Sequence, residues 1–207
     1  MIDVSPDFRT QALRHEIPHL DAVLLTHPHF DHIGGIEELR SYNYIQNARI
    51  PVYGSRWTRT EIQKRYHYLF SKKRYEGGGI ARIDLHPIKD FHPITIGSLR
   101  FLPIPYPHGS NTSLGFRYGN TAYIPDCSSL PKAALDRLQD LDHLILDCIQ
   151  LKPHRTHLNL EAALDWAKRI GARKTYLTHL GHAFDYASWN RKLPKKIELA
   201  YDGQVIR

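Results

Sequence analysis

The chain has 207 residues, 42% hydrophobic and 24% charged, which suits one globular domain with a substantial core and excludes a disordered or fibrous protein. Its formal charge of +7 favours anionic substrates without establishing nucleic-acid binding. No apolar run approaches the roughly 20 residues that span a bilayer, the N-terminal residues do not resemble a signal peptide, and two cysteines, Cys127 and Cys148, are too few for a disulfide framework. A protein in the reducing cytoplasm, with no membrane partner, is the expectation. Leu20-Asp21-Ala22-Val23-Leu24-Leu25 is an apolar run of strand length. Thr26-His27-Pro28-His29-Phe30-Asp31-His32 follows as a loop, and Ile33 to Arg40 reads as a short helix entered through glycines. A second strand leads into a basic helical insert from Ser55 to Asp90, where Arg56, Arg59, Lys64, Arg65, Lys72, Lys73, Arg74, Arg82 and Lys89 alternate with Tyr66, Tyr68, Phe70 and Tyr75. Such a stretch reads either as a surface for phosphates and bases or, preferably, as a solvated helix face whose aromatics pack inward. Gly77-Gly78-Gly79 supplies a hinge.

Ser98 to Pro105 is a strand leading to His108. Ser113 to Ala122 is a hairpin around Gly119-Asn120, and Tyr123 to Asp126 continues its second arm. Pro131 to Leu138 reads as a helix started by proline, and Leu144 to Cys148 as a buried strand. Asn159 to Ile170 has a cap, helical apolar spacing and a stop at Gly171. Lys174 to Thr178 is the strand before His179, and Ile197 to Ile206 a closing hairpin around Asp202-Gly203. The order predicts a mixed sheet flanked by helices.

Three imidazoles and a carboxylate within six residues, His27 to His32, are hard to explain as packing, because such groups are costly to bury without partners. A loop at the end of a buried strand is also where α/β proteins place their chemistry. His27 and His29 are two apart and point the same way in extended chain; Asp31 and His32 follow a turn and can face a second ion. Nitrogen and carboxylate donors suit zinc, manganese or iron(II), and two such ions about 3.5–4 Å apart clamp both oxygens of a displacement.

His27-Pro28-His29-Phe30-Asp31-His32 resembles the H-x-H-x-D-H signature of the metallo-β-lactamase superfamily. Ile2-Asp3-Val4-Ser5-Pro6-Asp7-Phe8-Arg9, Pro107-His108-Gly109, Tyr123-Ile124-Pro125-Asp126 and Leu177-Thr178-His179 resemble its other motifs in the right order. The likeness is strongest to the subgroup holding the cyclic-phosphate phosphodiesterases of phosphonate catabolism. It implies an α/β fold, the αββα sandwich, in one domain over 1–207. It implies two divalent ions, with His27, His29 and His108 on one, Asp31, His32 and His179 on the other, and Asp126 bridging. Asp3 would orient the loop without binding metal, Asp31 would be catalytic as well as a ligand, and His157 would be the general acid. His182 stays open as an alternative to His179, and a structural hydrogen bond as an alternative role for His157. Cys127 follows Asp126 but reads as a buried structural thiol. An insert after the second strand covers the site in relatives, which implies a lid by analogy.

Relatives reach the Asp motif after opening strands, whereas here Met1 abuts Ile2-Asp3. The resemblance therefore implies a sandwich lacking its usual first strands, with either an upstream start or a homodimer covering the exposed edge. The implied function is hydrolysis of a small anionic phosphodiester, cyclic ones included. The alternatives are a nuclease or RNA-processing phosphodiesterase, a thioester or lactam hydrolase, and a non-catalytic metal-binding relative.

Overall fold

Buried and half-buried residues alternate along β2, Ile50–Gly54, as a strand with one face on a core requires. It pairs in parallel with β1, Val23–Leu24, on one side and β3, Ile83–Pro87, on the other. A bridge from Ile2 to Leu24 extends this sheet by one position. The computed structural model describes residues 1–71 and 79–206, and these divide into two compact units, Met1–Lys89 and Asp90–Arg207. Lys72, Lys73, Arg74, Tyr75, Gly77 and Gly78 of the basic insert and its hinge lie outside the described residues.

In the first unit, α1 (Phe8–Arg14), α3 (Leu39–Gln46) and α4 (Arg56–Arg65) bury Phe8, Ala12, Leu39, Tyr42 and Ile62 in one core with Val23, Leu25, Ile50, Val52 and Ile83 of the sheet region. The expected helix from Ile33 to Arg40 is instead three pieces: α2 (Phe30–Ile33), a 3-10 turn (Ile36–Glu38) and α3. The glycines explain the break. At Gly35 a Cβ would stand 2.2 Å from the Ser5 carbonyl oxygen, and its N–H bonds to Val4 O at 2.9 Å. The chain there is held against the N-terminal segment, so a continuous helix cannot form. α1 had no expectation, and the first strand is shorter than its apolar run.

The second unit is one seven-stranded sheet in the order β10-β9-β8-β7-β6-β5-β4. β4 (Ile94–Ile96), β5 (Leu99–His108), β6 (Asn111–Tyr118) and β7 (Thr121–Ile124) form an antiparallel meander. β7 then runs parallel to β8 (His143–Asp147), β8 to β9 (Lys174–Thr178), and β9 to β10 (Ile197–Leu199). Between them lie the short α5 (Lys132–Leu135), α6 (Leu160–Ile170) and α7 (Tyr186–Asn190). α6 matches the expected helix: Asn159 accepts from Ala162 N at 3.2 Å, and Gly171 leaves at φ 71°. Its Ala163, Ala167 and Ile170 pack with Leu144, Leu146 and Leu177 of the sheet.

The expected C-terminal hairpin does not form. Asp202-Gly203 does make a turn, but Ile197–Leu199 pairs in parallel with β9, and no second arm follows among the described residues. The edge of β9 offers backbone partners that win over the local pairing: Thr175 N bonds to Lys196 O and Ala200 N to Leu177 O, both at 2.8 Å. Among the described residues no helix is long and apolar enough to cross a membrane.

Candidate metal centre

Each unit carries its ionisable residues at or just beyond strand ends. In the first unit Asp3 starts the arrangement. It has φ 56°, in the left-handed region where Asp is among the tolerated residues. That turn lets one carboxylate reach three donors: Thr26 N at 2.9 Å, Thr26 Oγ1 at 2.8 Å and His32 Nδ1 at 2.7 Å.

Proton counting then sets the tautomers. The Thr26 hydroxyl gives its single proton to Asp3, so it can only accept from His27 Nδ1, 3.1 Å away. His32 Nδ1 likewise donates to Asp3. Each ring, when neutral, therefore carries its lone pair on Nε2, the form a metal ligand needs. His29 is the N-cap residue of α2 in extended conformation, its ring 4.4 Å from that of His27, whose ring lies 4.2 Å from His32. Asp31 Oδ2 is 3.3 Å from His32 Nε2. The first unit thus gathers His27, His29, Asp31 and His32 on one short segment.

The second unit gathers His108, Asp126, His157 and His179. His108 ends β5, and its Nδ1 faces the Thr156 carbonyl at 3.0 Å. A carbonyl only accepts, so Nε2 again holds the lone pair. Asp126 follows β7 at φ 47° and is buried; His179 follows β9 at φ 60°. The His179 Nε2 lies 3.4 Å from Asp126 Oδ2. His108 and Asp126 offer donor atoms within 4.8 Å of each other. His182 and His154 are exposed, as are His29 and Asp31.

One residue carries weight without having drawn attention in the sequence. Asp147, at the end of β8, is fully buried. Its Oδ2 accepts from Leu158 N at 2.7 Å and Cys127 N at 3.4 Å, and its Oδ1 faces His157 Nδ1 at 3.2 Å. The other nitrogen of His157 lies 3.8 Å from Asp126 Oδ2, and its ring stacks on His179 at 4.8 Å and 15°. Asp147, His157 and His179 offer donor atoms within 4.8 Å of one another. The signal was available: Leu144-Ile145-Leu146-Asp147 repeats the pattern of Tyr123-Ile124-Pro125-Asp126, an apolar strand delivering a carboxylate at its end. Cys127 and Cys148 flank these carboxylates but are buried and free. Burial and the nearby Asp147 push the Cys127 thiol well above its ordinary value and the Cys148 thiol to about 12.

Imidazole nitrogens with lone pairs on Nε2 and carboxylate oxygens, free of thiolate, fit a divalent ion of borderline or hard character. A family model described as the beta-lactamase superfamily domain matches residues 1–180. The chain belongs to the metallo-β-lactamase superfamily. Its mixed α/β fold is the one its motifs implied. Within the superfamily it is close to the PhnP family: it is 36% identical to the crystal structure of a diphosphatase from that family, covering 98% of this chain and 76% of that one with a TM-score of 0.90. It is 34% identical over 205 residues to an octanoyltransferase of Porphyromonas gingivalis, covering 98% of this chain. It spans only 41% of that relative's length. It is also 26% identical over 181 residues to the anti-Pycsar protein Apyc1 of Paenibacillus harenae, covering 81% of this chain and 71% of that protein.

Proposed function

We propose that this metallo-β-lactamase superfamily member is a phosphodiesterase acting on a small anionic diester or diphosphoester, cyclic phosphodiesters included. His27, His29 and His108 would hold one divalent ion, zinc, manganese or iron, and Asp31, His32 and His179 a second, with Asp126 shared. When bound, such ions supply Lewis acidity to phosphoryl oxygens and lower the pKa of water.

The observation that carries the reading is the Asp147–His157 pair. A buried carboxylate accepting from Nδ1 fixes the ring and leaves Nε2 to carry the transferable proton. That nitrogen is also 3.8 Å from the proposed bridging carboxylate of Asp126, so the proton is held beside the ligand cluster. Phosphodiester cleavage expels an alkoxide that needs a proton, and His157 would give it. Asp126 and His179 both hold left-handed backbone just beyond their strands. The net positive chain suits an anionic substrate. The 36% identical diphosphatase supports phosphorus chemistry.

A second reading, thioester hydrolysis, draws on the octanoyltransferase relative, although three-fifths of that protein lies outside the match. One experiment separates them. The protein reconstituted with Mn²⁺ or Zn²⁺ is assayed on bis-p-nitrophenyl phosphate, cyclic nucleotides, ribose cyclic phosphates, dinucleoside diphosphates, an acyl thioester and a cephalosporin. Turnover confined to phosphoesters is expected. Turnover confined to the thioester would replace the reading, and no turnover on any with metal bound would leave a binding protein.

A further inference from the structure

The basic insert contacts the histidine segment through several side chains. Arg65 Nη1 donates to Pro28 O at 2.6 Å. The next residue, Tyr66, donates its hydroxyl to Ile33 O at 3.1 Å. The Trp57 ring lies 6.3 Å from the His27 ring at 36° and 6.1 Å from the His29 ring at 85°. Tyr68, in the 3-10 turn His67–Phe70, donates to Glu37 just beyond. The two carbonyls bracket the ligand-type residues: Pro28 separates His27 from His29, and Ile33 follows Asp31 and His32.

Each contact has a local cause. Ser55 caps α4 by accepting from Thr58 N at 3.1 Å. Thr58 and Ile62 are fully buried and fix the rotation of the helix. Gly54 permits the approach, since a Cβ there would meet Thr58 Cγ2 at 3.2 Å. With those residues inward, Trp57 is carried to the imidazoles. Glu61 then accepts from Lys64 Nζ at 3.0 Å and Arg65 Nη2 at 3.2 Å, which aims the guanidinium. Hydrogen bonds from Lys64 and Arg65 hold the Glu61 carboxyl below its ordinary range, so the anchor stays charged. Pro28 is buried and has no N–H, and its carbonyl still needs a donor.

We propose that Arg65, Tyr66 and Trp57 are positioning residues that set how tightly the His27–His32 segment holds its cation, so that α4 is a brace on the metal loop. The inference rests on the metal reading above. Its physical basis is tolerance: ligand atoms must be held within about 0.5 Å of productive geometry, and loss of an outer partner lowers metal affinity about 10–100-fold.

The test is a chelator-competition titration of the full chain with Mn²⁺, for wild type, Arg65→Met, Arg65→Lys, Tyr66→Phe, Trp57→Phe and His29→Ala. Tyr66→Phe keeps the ring and its packing, so it reports the hydrogen bond without endangering the fold. Arg65→Met and Tyr66→Phe are each expected to weaken one of the bound ions roughly 10-fold, with Arg65→Lys recovering part of the loss. Trp57→Phe should remove the Mn²⁺-dependent quenching of tryptophan emission. Wild-type affinity in both Arg65→Met and Tyr66→Phe would overturn the brace. So would an Arg65→Lys variant no better than Arg65→Met, or quenching that survives Trp57→Phe. Wild-type binding by His29→Ala would instead overturn the metal reading itself.

Discussion

Asp147→Asn separates two jobs that one buried carboxylate performs. The amide oxygen can still accept from Leu158 N, 2.7 Å away in the native protein. Its NH₂ then faces His157 Nδ1, where the native carboxylate oxygen sits at 3.2 Å. An NH₂ only donates, so the imidazole must turn its Nδ1 lone pair toward it. The protonated ring can no longer be held in place. For stability, a bond to a charged acceptor is worth about 1.5–3 kcal/mol and a neutral one about 0.5–1.5, so the exchange costs about 1–2 kcal/mol. In a chain of this size that is a fall of roughly 2–8 °C in Tm. For catalysis, loss of a general acid removes about 10²–10⁴ in rate, or roughly 3–5 kcal/mol of barrier lowering. The second effect exceeds the first, so the variant should be folded and slow. The assay is kcat on an alkyl phosphodiester and on bis-p-nitrophenyl phosphate, beside a thermal melt and metal analysis. The alkyl ester should suffer and the nitrophenyl ester much less, because nitrophenolate leaves without a proton. A variant within about threefold of wild type on the alkyl ester would refute the reasoning, since under 1 kcal/mol of barrier would then depend on the pair.

His157→Ala should show the same leaving-group dependence with unchanged metal content; equal losses on good and poor leaving groups would remove its acid role. Asp126→Ala should reduce bound metal at both positions, because one carboxylate is assigned to both, and elemental analysis that finds wild-type content would end the bridging assignment. Cys148, pushed up to about 12 from 9.0, should resist thiol reagents at pH 8 until denaturant is added. Because the unfolded thiol ionises first, stability should hold below about pH 9 and fall from there toward pH 12, which denaturant titrations at several pH values would check.

The ligand-type residues were readable because chemistry and local pattern coincide. Imidazoles and carboxylates clustered at the ends of apolar strands are seldom there for packing alone, and the segments ending at His108, Asp126 and His179 are strands in the structure. α6 was readable because its cap and its stop are both local signals. What was not readable depends on distant partners. Gly34 and Gly35 look like a helix entrance, but the segment they must pass, Val4 to Phe8, is far away in sequence. The C-terminal turn residues are real, yet β10 pairs with a strand some twenty residues earlier. Asp147 escaped because its partners, Cys127 and Leu158, come from distant segments, although its place at the end of an apolar strand repeats that of Asp126. Of the aromatics of the insert, Tyr66 and Tyr68 pack against the core whereas Phe70 is exposed, and nothing in their spacing said that Arg65 and Tyr66 would reach Pro28 and Ile33.

Left-handed backbone at Asp3, Asp126 and His179 sets these residues apart from the other proposed site residues in how freely they can drift in evolution. At these positions a replacement must satisfy both the chemistry and a conformation that costs most L-residues about 1–2 kcal/mol. A cysteine or glutamate arriving at 126 or 179 meets that second barrier however well its donor atom suits an ion. His29, by contrast, sits in ordinary extended backbone and carries no such barrier. Lineages that shift toward softer metals should therefore accumulate their changes in the His27–His32 segment first, while the strand ends of the second unit stay fixed.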